Sequence, residues 1–174
     1  MLAYVFWHWP SPDVDGTVYR KELLDFHRML TAHPSHGLLG SRVWSVTGAP
    51  WLPVENAFED WYLVEDFTGI GKLNEAAVAG RMRTPHDTIA RLAGGGTGGV
   101  YRRLTEGKIP VDKVRWLSKP SGMGYAVFLA RMPPGVEVWQ RQMVLGPAPE
   151  FCVGSELAPV VADAVNLPVE RLYP

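Results

Sequence analysis

The chain is poor in cysteine: Cys152 is the single one among 174 residues, so no intrachain disulfide can form and a disulfide-stapled scaffold is excluded. A lone thiol suits a reducing compartment, and a cytoplasmic location is the expectation. A dominant charge sign is also missing. Seventeen Lys and Arg against eighteen Asp and Glu leave a formal net charge of −1, which gives no general attraction to nucleic acid. The basic residues from Arg102 to Lys119 are interrupted by Glu106 and Asp112 and read as a solvated connecting face. No apolar run is long enough for a membrane span. The apolar start has no basic segment before it and carries His8 and Pro10 where a signal peptide would have its core, so neither membrane nor targeting segment is expected.

Familiar catalytic signatures are missing as well. Gly94-Gly95-Gly96-Thr97-Gly98-Gly99 follows a helical pattern and has no Lys-Ser/Thr after it, so it reads as a mobile connection rather than a phosphate loop. Gly69-Ile70-Gly71-Lys72 lacks the phosphate-loop spacing, and there is no Gly-x-Ser-x-Gly elbow. His33 and His36 have a metal-compatible spacing but no third ligand, so no metal or cofactor is expected. Cys152 sits in an apolar context and reads as an inert buried thiol.

What is present is an ordinary globular composition, 47% hydrophobic and 20% charged. A body of this length buries roughly 70% of its unfolded surface, so a real core is expected. The segment Ala3 to Trp9 is apolar or aromatic on both faces and ends at Pro10, the pattern of a strand covered on both sides. Tyr19, Leu23, Phe26, His27 and Leu30 then recur at helical spacing, with His27 on the core side, up to His33-Pro34. A strand follows over Ser41 to Thr47. The loop Gly48 to Ala57 is too long for a tight hairpin and holds Trp51 as a lid candidate. Phe58 to Glu65 alternates as another strand. A helix from Thr68 to about Gly80 follows. Thr84-Pro85-His86-Asp87 supplies a capping hydroxyl and an N1 proline for a second helical segment, with His86 structural at that helix start. Val100 to Leu104 is the next strand.

The order strand, helix, strand, strand, helix, strand predicts a ferredoxin-like antiparallel sheet with helices on one face, an α+β fold. Ala126 to Pro133 resembles Ala3 to Pro10 and is expected to be a strand. Glu150 to Gly154 follows as a strand, Glu156 to Val165 as a helix and Val169 to Tyr173 as a closing strand. The expected organisation is a unit over 1–104, a connector over 105–121 and an abbreviated second α+β unit over 122–174 packed on the first.

On the pattern of Ala3 to Leu104, and of Phe58 to Ala77, where an aromatic strand ends in an acid and leads into a helix, the chain resembles the dimeric α+β barrel superfamily. That superfamily includes antibiotic-biosynthesis monooxygenases and EthD-like proteins. The resemblance implies two ferredoxin-like sheets packed face to face around a cavity, in a homodimer or within one chain. It also suggests cofactor-independent oxygenation, isomerisation or decarboxylation of an aromatic or polyketide-like compound.

Matching faces of the first and third strands bring Tyr4, Phe6 and His8 onto one surface with Phe58, Asp60 and Tyr62. His8 and Asp60 are the catalytic candidates, with Asp60 orienting the imidazole and raising its basicity. Tyr4, Phe6, Trp51 and Tyr62 are the ligand-binding candidates, since large rings line pockets for planar ligands. The rival expectation is a non-catalytic sensing or assembly module that uses the same face for subunit contact.

Overall fold

The computed structural model describes residues 1–107, 113–154 and 164–174. Eight strands close into one antiparallel barrel: β1 (Leu2–Pro10), β2 (Leu38–Thr47), β3 (Asn56–Val64), β4 (Ala93–Thr105), β5 (Lys113–Leu117), β6 (Val138–Arg141), β7 (Phe151–Val153) and β8 (Val165–Tyr173). Their order around the barrel is β1-β3-β2-β8-β5-β7-β6-β4. Among the described residues four helices accompany them: α1 (Gly16–Ala32), α2 (Phe67–Ala77), α3 (Arg83–Leu92) and the short α4 (Tyr125–Leu129). Closure is complete within one chain, with the later strands β8 and β6 pairing to β2 and β4.

The double-sided apolar pattern of β1 has a direct cause. Ala3, Val5 and Trp7 point into the barrel, where they pack with Trp44, Trp61, Trp116 and Trp139. Tyr4 and Phe6 point outward to the layer formed by α1, α2 and α3. Helix α1 starts where the Asp15 carboxylate accepts the backbone N–H groups of Thr17 and Val18 at 2.7 and 3.2 Å. It buries Tyr19, Leu23, Phe26, His27 and Leu30.

The interior of the barrel is filled. Trp7, Trp61, Trp116 and Trp139 are fully buried, and their rings meet edge to face or tilted at centroid separations of 5.1 to 6.3 Å. The expected cavity between two sheets is therefore not where the open space lies. The carboxylates admitted to the interior are paired, while the buried indole N–H groups of Trp44, Trp51 and Trp116 have no hydrogen-bond partner among the described residues. Glu59 accepts the indole N–H groups of Trp7 and Trp61, each at 2.6 Å, and Glu137 accepts both Arg42 guanidinium nitrogens at 2.9 and 3.2 Å.

Several sequence expectations change. The glycine run is the first half of β4, paired with β1 from Ala93 onward, and not a mobile connection. Its glycines leave room for rings of β1. A Cβ on Gly95 would lie 2.5 Å from the Trp9 ring, one on Gly96 2.5 Å from Phe6 Cζ, and one on Gly98 2.6 Å from the Tyr4 ring. Ala126 to Leu129 is helical, within α4, because a short apolar run has no period of its own and its surroundings decide. The stretch 105–121 contains β5, and β6 arises where no strand was expected. Thr84 lies inside α3, which is entered through a 3-10 turn at Gly80–Met82 with no side-chain cap. The basic segment is not wholly a solvated face, since Arg115 is buried and its Nε donates to Asn166 at 2.7 Å. The helix expected over Glu156 to Val165 lies outside the described residues up to 163, and Val165 is the first residue of β8.

Candidate functional site

The register of β1 against β3 pairs Tyr4 with Tyr62, Phe6 with Asp60 and His8 with Phe58. All six side chains share the outward face, and α1 lays Tyr19 and His27 over them. The rings form a nearly parallel series: Tyr4 on Phe6 at 6.0 Å, Phe6 on His8 at 5.1 Å, His8 on Phe58 at 5.8 Å and His27 on Tyr62 at 5.3 Å.

Asp60 is the centre of this arrangement and is 1% exposed. Its Oδ2 accepts the Tyr62 hydroxyl at 2.8 Å and lies 3.0 Å from His8 Nε2 and 3.1 Å from His27 Nε2. Neither imidazole N–H is aligned on that oxygen well enough for a hydrogen bond. The two contacts are close approaches of a ring nitrogen to the carboxylate. Burial alone would push the Asp60 carboxyl up. The adjacent imidazoles of His8 and then His27 outweigh it and hold the group well below the usual carboxylate range. A carboxylate 3.0 Å away also places the neutral-ring proton of His8 on Nε2, which leaves Nδ1 to accept the Tyr19 hydroxyl at 2.6 Å. On the far side, Ser41 meets His27 Nδ1 at 2.8 Å. The order is Tyr19–His8–Asp60–His27–Ser41, buried throughout.

One end of this chain opens to space. A cavity of about 680 Å³ lies between the outer sheet face and the three helices. Its floor is Tyr4, Phe6, His8, Tyr19, Asp60 and Tyr62. Its apolar walls come from Leu23 and Phe26 of α1, Leu73 of α2 and Ile89 of α3. Gly71, Asn74 and Ala90 line it from exposed positions, so the opening lies where α2 and α3 separate. No Lys or Arg side chain lines it. Burial, followed by the Asp60 charge, raises the Tyr19 and Tyr62 phenols, which keeps both as neutral donors.

His8, Asp60, Tyr4, Phe6 and Tyr62 therefore meet in one place. Trp51 does not join them. It packs on the barrel interior, edge-on to Trp7 at 5.8 Å and to Trp116 at 5.4 Å, on the opposite side of the sheet. His86, read as part of a helix start, lines the cavity and contacts Asp87 at 3.2 Å. His27 is a fully buried core histidine, as its stripe position implied, and also a partner of Asp60. Sequence reasoning missed Tyr19 and Ser41. The helical stripe carrying Tyr19 was visible, but not that its hydroxyl reaches back to His8.

Two histidines and one aspartate are a common metal-ligand composition. Here both imidazoles converge on one carboxylate oxygen that also accepts the Tyr62 hydroxyl, and no group of three or more His, Cys, Asp or Glu among the described residues could hold a metal ion. Burial pushes the Cys152 thiol well above its ordinary range. No helix among the described residues is long and apolar enough to cross a membrane.

No family model matches the chain, and no curated protein matches it. Solved structures do. A protein from Fusobacterium nucleatum subsp. nucleatum ATCC 25586, described as a "putative monooxygenase", superposes with a TM-score of 0.66 at 8% identity, over 98% of this chain and 92% of that one. Another "putative monooxygenase", from Lactobacillus acidophilus NCFM, gives 0.61 at 9% identity, over 98% and 93%. An anthrone oxidase-like protein gives only 0.47 at 10% identity, over 99% and 91%. The likeness to the first two defines the class by fold: a mixed α/β chain built on a closed antiparallel barrel, of the kind found in these monooxygenase-like structures.

Proposed function

We propose that this chain is an enzyme that binds a planar aromatic or polyketide-like compound in the cavity beneath α1–α3 and moves a proton on it, using His8 and Asp60 without a cofactor. The observation that carries this reading is the buried Asp60–His8 pair on the floor of an aromatic cavity large enough for a fused-ring ligand. The ring series of Tyr4, Phe6 and Tyr62 suits a flat substrate. The monooxygenase descriptions of the structural neighbours agree with oxygenation as the outcome, as does the resemblance to the dimeric α+β barrel superfamily.

Tyr19 connects the pair to the substrate. As the Tyr19 oxygen takes the substrate proton, its own proton crosses 2.6 Å to His8 Nδ1, and Asp60 stabilises the imidazolium formed. The electron pair stays on the substrate, whose structure decides whether it is given up to dioxygen or takes a proton back at another position. The rival assembly role has less to rest on, because α1–α3 of the same chain cover the face it would use.

His8→Asn and Asp60→Asn test the reading. Each variant is expected to keep a cooperative unfolding transition while losing turnover or binding across a panel of planar aromatic compounds, His8→Asn by about 10²-fold or more in rate. Unchanged binding and turnover in both variants would refute it, and a fully structural pair would show instead as a loss of several kcal/mol of stability.

A further inference from the structure

The cavity floor carries the phenols of Tyr4, Tyr19 and Tyr62, and the last two are already paired. Tyr62 donates its hydroxyl to Asp60 Oδ2 at 2.8 Å, and Tyr19 donates to His8 Nδ1 at 2.6 Å. The Tyr4 hydroxyl has no hydrogen-bond partner among the described residues. Burial, and then the Asp60 charge, raise this phenol, so it keeps its proton as a neutral donor. Strand register sets where the donor lies. Tyr4 is opposite Tyr62, and Phe6 separates its ring from that of His8, with spacings of 6.0 and 5.1 Å. Tyr19 meets His8 at the other end of this row. The cavity therefore has a proton-accepting end at Tyr19 and His8 and a donor end at Tyr4. Asn74 on α2 and His86 on α3 also line it. Water reaches Asn74 at the opening, and His86 Nδ1 already faces Asp87 at 3.2 Å. A flat ligand that shuts water out of the floor strands the partly buried Tyr4 hydroxyl unless it brings an acceptor of its own.

Resting on the reading of this cavity as the ligand site, we propose that Tyr4 is its specificity-determining donor: it anchors a carbonyl oxygen at the end of the flat ligand remote from the hydrogen that Tyr19 removes. The anchored oxygen turns the ligand so that its reacting carbon falls at Tyr19. It also receives the charge. As the C–H bond breaks, its proton passes to the Tyr19 oxygen and the proton of Tyr19 passes to His8 Nδ1. The electron pair of that bond shifts through the conjugated rings onto the carbonyl oxygen, which becomes an oxyanion facing Tyr4. A hydrogen bond to that oxygen strengthens as the charge develops. Orientation thus resides in Tyr4, and proton movement in Tyr19 and His8.

Two probes that differ by a single carbonyl oxygen, tetralin and 1-tetralone, test this by calorimetry with the full chain in the wild type, Tyr4→Phe, Asn74→Ala and His86→Ala. Tyr4→Phe removes the hydroxyl, keeps the ring and breaks no hydrogen bond of the protein, so its unfolding midpoint should match the wild type. The wild type is expected to bind the ketone about fivefold more tightly than the hydrocarbon, the weight of one neutral hydrogen bond. In Tyr4→Phe that preference should vanish through loss of ketone affinity, with tetralin unchanged, and in Asn74→Ala and His86→Ala it should persist. Should Tyr4→Phe fold poorly, the two helix variants decide: a preference kept in both leaves Tyr4 as the donor, and one lost in either overturns the assignment. Equal wild-type affinity for the two probes, or a preference that survives Tyr4→Phe, overturns the anchor while leaving the cavity as a ligand site. Absence of binding by both probes overturns the anchor together with the reading on which it rests.

Discussion

Replacing Gly96 with alanine should damage both the fold and the cavity, because the glycine leaves room for a ring. A Cβ at position 96 would sit 2.5 Å from Phe6 Cζ, 2.8 Å from Phe6 Cε2 and 3.1 Å from the carbonyl oxygen of Trp7. The ring can swing, but the carbonyl belongs to the β1–β4 ladder and cannot. Phe6 is stacked between Tyr4 and His8, so its displacement pushes on the His8 imidazole. Overpacking of this kind costs about 1 to 3 kcal/mol. Taking ~2 kcal/mol, the melting temperature of a chain this size falls by roughly 4 to 8 °C. Gly71 is the control. It also lines the cavity, on α2, but has nothing within 4 Å of an added Cβ, so Gly71→Ala should stabilise the protein by up to about 1 kcal/mol through helix propensity. Urea unfolding of Gly96→Ala, Phe6→Ala and the double variant measures the coupling. Removing the ring should recover about 1 kcal/mol or more of the Gly96→Ala cost. Wild-type stability for Gly96→Ala, or strict additivity in the double variant, would refute the reasoning.

Glu59 sets a pH dependence. Burial, moderated by the Trp61 and Trp7 indoles and reinforced by the Asp60 charge, pushes its carboxyl from the ordinary 4.5 up to about 7. Between those values the folded chain keeps a proton that the unfolded chain has released, so stability should fall as pH rises through this window. Glu59→Gln should flatten that slope in denaturant titrations followed by tryptophan emission, and an unchanged slope would place its origin elsewhere. We also propose that the part from residue 122 is packed on the first as one cooperative unit. A chain cut after residue 110 loses the partners of β2 and β4 and should show no cooperative melt, whereas sharp, dispersed amide signals from such a fragment would contradict this.

The face shared by Tyr4, Phe6, His8, Phe58, Asp60 and Tyr62 was legible from the chain itself. Strand parity is a local property, and two strands with a period of two need only be neighbours for their matching residues to meet. Helix α1 was legible for the same reason, at a period of 3.6. The glycine run was not, because its strand character depends on rings that β1 lays across it. Nor was α4, whose short apolar run carries no period to read.

The site divides along the same line. That Asp60 and His8 share a face follows from sequence alone. Tertiary structure decided that α1 would bring Tyr19 and His27 to them, that Trp51 would pack with Trp7 on the far side of the sheet, and that the tryptophans would fill the barrel while the open space lay under the helices. Local periodicity says which way a side chain points relative to its own strand or helix, but it holds no information about which distant surface that side chain meets.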